Sequence, residues 1–107
     1  MHDGLLTVVL AGGSGDHYVA FEGVLDKTMM GEVIGLEILG VKQQLEGGHA
    51  LPGPVVGFPR WSYDDEIDAL YVRIADGSAH MQKMVSGTAL LDGFGSILSL
   101  EVRTAPG

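Results

Sequence analysis

Two stretches of this chain alternate strictly between apolar and polar positions. Along 70–74, Leu70, Val72 and Ile74 fall on one side, with Tyr71 and Arg73 on the other. Along 96–103, Leu98, Leu100 and Val102 oppose Ser99, Glu101 and Arg103. A period of two predicts antiparallel strands with one buried face. The same inward positions recur earlier, as Leu6, Val8 and Leu10 and as Ile34, Leu36 and Ile38. The recurrence is a repeat: residues 6–39 fall on 70–103 at an offset of 64 without a gap, and nine of the 34 paired positions are identical. An internal repeat constrains architecture, because each copy checks the reading of the other.

Shared glycines punctuate the copies at Gly13/Gly77, Gly23/Gly87 and Gly31/Gly95, and each pair is expected in equivalent turns. In the second copy this predicts strands over about 69–75, 79–85, 88–92 and 96–103. Gly12-Gly13 and Asp76-Gly77 both suit the two positive-φ positions of a tight type I′ hairpin. Between the copies, Gly40–Glu46 predicts a short helix with Val41 and Leu45 on one side, stopped by Gly47-Gly48. Pro52, Pro54 and Pro59 then mark an extended connector. The expected fold is mainly β (β-rich α+β). It is a single domain of two tandem antiparallel meanders, 6–39 and 70–103, related by a pseudo-twofold and joined through 40–60.

The outward face differs between the copies. Val9 stands where the second copy has Arg73, and Leu39 where it has Arg103. Thr7, Val33 and Gly35 add no charge. A half-exposed sheet face normally carries charges between its apolar residues, so this stripe is expected to be covered. Leu51, Val55, Val56 and Phe58 of the connector offer part of a cover, and a second subunit offers the rest. A dimer or tetramer is expected, with Val9, Val33, Leu39 and Trp61 at its interface. Trp61, the sole Trp, has a second reading, as a tie between the connector and the sheet. Met29, Met30 and Phe94 sit at matching turns, where apolar tips suggest contact with a partner.

Composition sharpens this picture. A chain of 107 residues with 46% apolar content and a mean hydropathy of +0.26 has more apolar surface than one small core hides. The formal net charge of −8, with six Lys and Arg spread along the chain, disfavours nucleic acid and anionic membrane surfaces. There is no Cys, so disulfides, thiolate chemistry and cysteine metal sites are excluded. The opening residues lack the basic-then-apolar order of a signal peptide, and Leu5–Ala11 is too short to span a bilayer. A cytoplasmic location with no membrane partner is expected.

The run Tyr63-Asp64-Asp65-Glu66-Ile67-Asp68-Ala69-Leu70-Tyr71-Val72-Arg73 opens the second copy, and Ile97-Leu98-Ser99-Leu100-Glu101-Val102 closes it. With these motifs, residues 61–103 resemble a family of short bacterial and archaeal proteins, domain of unknown function 2283. The first copy matches only the closing half, at Val33–Leu39. The resemblance implies a small β-rich module and implies no activity.

Clustered carboxylates at Asp64, Asp65, Glu66 and Asp68 could hold a hard cation, but the alternating acids and central Gly of a calcium loop are missing. The structural alternative makes Ser62 and Asp65 a capping pattern for one helical turn, with Asp68 tied to backbone N–H groups. Val8–Gly15 fails as a dinucleotide loop because Tyr18 stands at the third glycine position. Ser14, Asp16 and His17 suggest a hydrolytic set, but Asp16 breaks G-x-S-x-G. His17 and His80 are one position out of register between copies, so the four histidines, His2 and His49 included, are expected as outward strand residues and not metal ligands. No catalytic set and no cofactor is expected. The leading functional reading is a non-enzymatic binding or assembly module that self-associates through its sheets. The alternative is a small-ligand-binding or metal-dependent enzyme using the acidic turn 64–68 and His80.

Overall fold

A computed structural model of the protein describes residues 4–103. Its strands are β1 (Leu5–Val9), β2 (His17–Lys27), β3 (Val33–Leu39), β4 (Arg60–Asp64), β5 (Ala69–Arg73), β6 (Met81–Leu91) and β7 (Ile97–Arg103). One short helix, α1 (Val41–Gln44), follows β3. The fold is mainly β: all seven strands join one antiparallel sheet, ordered β1-β7-β6-β2-β3-β5-β4, that curls into a half-barrel.

The alternation read from the sequence places the core. Val8, Leu36, Ile38, Leu70, Val72, Leu100 and Val102 are buried on the concave face, with Phe21, Leu25, Ala89 and Leu91 from the two long central strands. Val41 and Leu45, at and just after α1, close over this core.

β1, β2 and β3 begin and end 64 residues before β5, β6 and β7. The connections of the two halves also share their turn chemistry. Gly31 and Gly95 have φ of 88° and 83°, and Gly13 and Gly77 have 138° and 135°. At the hairpin tips, the Thr28 hydroxyl accepts the Glu32 N–H (3.2 Å), and the Asp92 carboxylate, at the matching place, accepts the Ser96 N–H (2.9 Å).

Three expectations need correction. The first hairpin of each copy does not form: β1 pairs with β7, and β5 pairs with β3. Val8 lies opposite Leu100, and Val72 opposite Leu36. Because the two leucines are equivalent, the apolar pattern is satisfied whichever copy supplies the partner strand. Secondly, Gly23 and Gly87 are not turns. They lie inside β2 and β6, which run unbroken through the positions where two shorter strands are expected. Added Cβ atoms there would stand 2.8 Å from the Glu37 carbonyl oxygen and 2.5 Å from the Glu101 carbonyl oxygen. Glycine is present for close backbone approach on the concave face. Thirdly, Ser62 starts no helical turn. Ser62, Tyr63 and Asp64 belong to β4, and the acidic residues form the β4–β5 turn.

Candidate functional site

The acidic turn is held by its own backbone and neighbours. Asp64 Oδ1 accepts the Glu66 N–H at 3.0 Å. Asp68 has φ of 54°, in the left-handed region that Asp tolerates. Its carboxylate accepts the Lys42 N–H (3.0 Å to Oδ2) and the Tyr63 hydroxyl (2.5 Å to Oδ1). Its carbonyl accepts the Val41 N–H at 3.2 Å, so one residue anchors the start of α1 twice. The Asp68 hydrogen bond pushes the Tyr63 phenol up to about 12. Asp65 and Glu66 are exposed, and among the described residues no three His, Asp or Glu side chains converge to hold a metal.

The histidines are dispersed. His17 opens β2 with Nδ1 2.9 Å from Asp16 Oδ2 and Nε2 3.3 Å from Glu46 Oε1. Asp16 is the chief cause of a raised His17 pKa. With a carboxylate on each ring nitrogen, the imidazole has no nitrogen left to activate Ser14. His80 lies in the loop before β6, Nδ1 3.2 Å from the Ser78 carbonyl, and is not on a strand. His49 lies outside the named strands, forms an isolated backbone bridge with Ser96, and has Nε2 3.4 Å from the Ser96 hydroxyl. The expectation of outward strand positions fails for both: β6 begins at Met81, one residue after His80, and His49 lies in the connector between α1 and β4. His2 lies outside the described residues.

Trp61 faces the concave side of β4 and packs against the core. Its Nε1 donates to the Leu51 carbonyl at 2.8 Å, and its ring lies against Gly53, where an added Cβ would come within 2.6 Å. Val33 also packs against the core, because a bulge between Asp26 and Lys27 shifts the register beside it. Leu39 and Val9 stay outside, 51% and 61% exposed. The connector does not bury them. Val55 and Val56 are themselves exposed, and Phe58 and Pro59 only line a cleft beside Leu6–Val9.

The convex face carries a chemical contrast that single-residue motifs miss. Register sets Val9, Ser99, Leu90 and Tyr18 in one row across β1, β7, β6 and β2. The residues at the 64-offset positions, Arg73, Gly35, Asp26 and Gln82, form a second row across β5, β3, β2 and β6. The second row is bound together by polar contacts. Asp26 is buried and accepts the Tyr71 hydroxyl (3.1 Å) and Gln82 Nε2 (2.9 Å). Among the described residues the first row has no such network, and Tyr18 is 71% exposed. The Val9/Arg73 contrast in the sequence was the visible part of this.

No family model, curated protein or solved structure matches the chain. Among the described residues no helix is long and apolar enough to cross a membrane. The functional reading therefore rests on the geometry of the two rows and the sheet edges.

Proposed function

We propose that this protein is a small non-enzymatic assembly module that self-associates through β1 and the apolar row beside it. The supporting observation is that Val9 and Tyr18 stand exposed where the other half carries Arg73 and Gln82. The two edges of the sheet differ in the same sense. β4 carries Arg60 and Asp64 and follows Pro59, devices that discourage edge pairing. β1 is Leu-Leu-Thr-Val-Val, with neither charge nor proline. An unguarded apolar edge invites another strand.

The partner strand that fits is β1 of a second copy. Antiparallel pairing about Thr7 puts Leu5 of one copy opposite Val9 of the other on the convex face, and Leu6 opposite Val8 on the concave face. Such an interface is isologous and closes as a twofold dimer. The matching strand bounds support an internal twofold as well, centred on the Glu22–Ser86 pair of the β2–β6 ladder, whose members are 64 apart. The resemblance of 61–103 to domain of unknown function 2283, which implies a β-rich module without activity, agrees with this reading.

Sedimentation equilibrium tests it. The parent is expected as a dimer at high micromolar concentration, and Val9→Arg, which copies Arg73, is expected as a folded monomer. A monomeric parent, or an unchanged mass for the variant, overturns the assignment.

A further inference from the structure

The other edge of the sheet, at β4 and β5, carries an unusual pairing of charges on its convex face. Arg60 and Arg73 are direct cross-strand partners in the β4–β5 ladder. Like charges directly opposite on one face destabilise a sheet unless a counter-charge lies between them. In a chain with six Lys and Arg and a net charge of −8, acidic partners are abundant, yet among the described residues neither guanidinium has a carboxylate oxygen closer than 3.8 Å. Arg73 donates through Nε to the Ala75 carbonyl (2.9 Å) and through Nη2 to the Gly77 carbonyl (2.6 Å). Its nearest carboxylate, Asp76, is 3.8 Å away on a side chain 96% exposed to solvent. Arg60 lies over the Phe58 ring at 4.8 Å and makes only a 3.5 Å contact to the Gly57 carbonyl. Carbonyl contacts orient the two cations without neutralising them.

The next pair on the same face is Ser62 opposite Tyr71. Arg60, Arg73, Ser62 and Tyr71 thus make up two adjacent cross-strand pairs on one face. They line a cleft of about 350 Å³ whose remaining walls are Pro54 and Trp61. Asp26, on the same face, is engaged by Tyr71 and Gln82 and does not reach the arginines by any hydrogen bond among the described residues.

We propose that this cleft binds a small phosphate monoester, with the dianionic head between Arg60 and Arg73 and an apolar or aromatic body towards Pro54 and the β4 edge at Trp61. Guanidinium forks match phosphate oxygens bidentately. A phosphate monoester carries about −1.5 to −2 at pH 7, which two arginines balance and one would not. Ser62 supplies a further hydroxyl donor, and Pro54 supplies an apolar wall. The net negative charge does not veto this, because at physiological ionic strength charges beyond about 8 Å are largely screened.

Trp61 is the only Trp, so intrinsic fluorescence reports the cleft directly. The test is titration with phenyl phosphate, benzoate and inorganic phosphate at constant ionic strength held with NaCl. Phenyl phosphate is expected to give a saturable change in Trp61 emission and a raised melting temperature. Benzoate, with one charge, is expected to bind about tenfold more weakly. Arg60→Gln is expected to weaken phenyl phosphate binding at least about tenfold without lowering the unliganded melting temperature, since Arg60 holds no part of the fold closely and its like-charge pairing with Arg73 is relieved. Arg73→Gln removes two carbonyl contacts and is the less safe variant, so the conclusion rests on Arg60→Gln and on Ser62→Ala, expected to weaken binding by a smaller factor. An unsaturable response, an Arg60→Gln curve like that of the parent, or benzoate binding as tightly as phenyl phosphate overturns the proposal.

Discussion

Asp68 shows how much one side chain carries in a small sheet protein. It turns the chain from β4 into β5 at a φ of 54°, and its carboxylate holds both the Lys42 N–H and the Tyr63 hydroxyl. Asp68→Ala removes a cap, at about 0.5–2 kcal/mol. It also leaves Ala in the left-handed region, at about 1–2 kcal/mol. A loss of about 1.5–4 kcal/mol in urea unfolding is expected. Asp68→Asn keeps an acceptor and tolerates the backbone, so it should cost less. The same variant isolates the charge. Tyr63, held near 12 by Asp68, should titrate closer to the ordinary phenol value of about 10 in Asp68→Asn, as read by ultraviolet absorbance. The sign follows from the raised folded value. The Tyr63 contribution is fully present below the unfolded pKa of about 10 and is lost as pH rises towards 12. Added Ca²⁺ or Mg²⁺ should leave the parent melting temperature unchanged, and a saturable rise would restore a metal role for Asp64, Asp65, Glu66 and Asp68.

At the scale of elements, the mid-strand glycines separate two accounts of the fold. If Gly87 marked a turn, an added methyl would cost little beyond local strain. In β6 it would stand 2.5 Å from both the Glu101 carbonyl oxygen and Val102 Cγ1, and 2.7 Å from the Phe21 ring. Gly87→Ala is therefore expected to destabilise by about 1–3 kcal/mol, as overpacking does. Gly93→Ala, with nothing within 4 Å, should fall within about 0.5 kcal/mol of the parent. Equal melting temperatures for the two variants would return Gly87 to a turn. Much of the fold was legible in the sequence. Alternation marked the concave faces of β5 and β7, the repeat carried the same positions onto β1 and β3, and Val41 with Leu45 marked the side of the helix region that packs inward. Strand exchange was not legible, because Leu36 and Leu100 offer β1 and β5 equivalent partners. The long strands were hidden because Gly23 and Gly87 read as breaks, although glycine also serves where backbones meet closely. Of the sites, the Val9/Arg73 contrast was visible. The Arg60–Arg73 pair was not, since their adjacency depends on β4, a strand that the proline-rich approach and acidic turn disguised.

The whole molecule brings the two proposed surfaces into opposition through its charge. Each copy carries a formal −8, so two copies repel as they dock. The β1 edge contributes no charge of its own to offset this. Raising ionic strength shortens the Debye length from about 10 Å at 0.1 M to about 3 Å at 1 M, which removes the repulsion and leaves apolar burial intact. Dimerisation through β1 should therefore strengthen as NaCl rises from about 0.05 to 0.5 M. Phosphate ester binding at Arg60 and Arg73 depends on attraction between unlike charges at a partly exposed site, and the same change of salt should weaken it. Sedimentation and Trp61 titration on one protein stock across one salt series read both effects. Opposite slopes are the expected outcome. A weight-average mass that falls with added salt would mean that charged contacts hold the copies together, and β1, which has none, would then be the wrong interface.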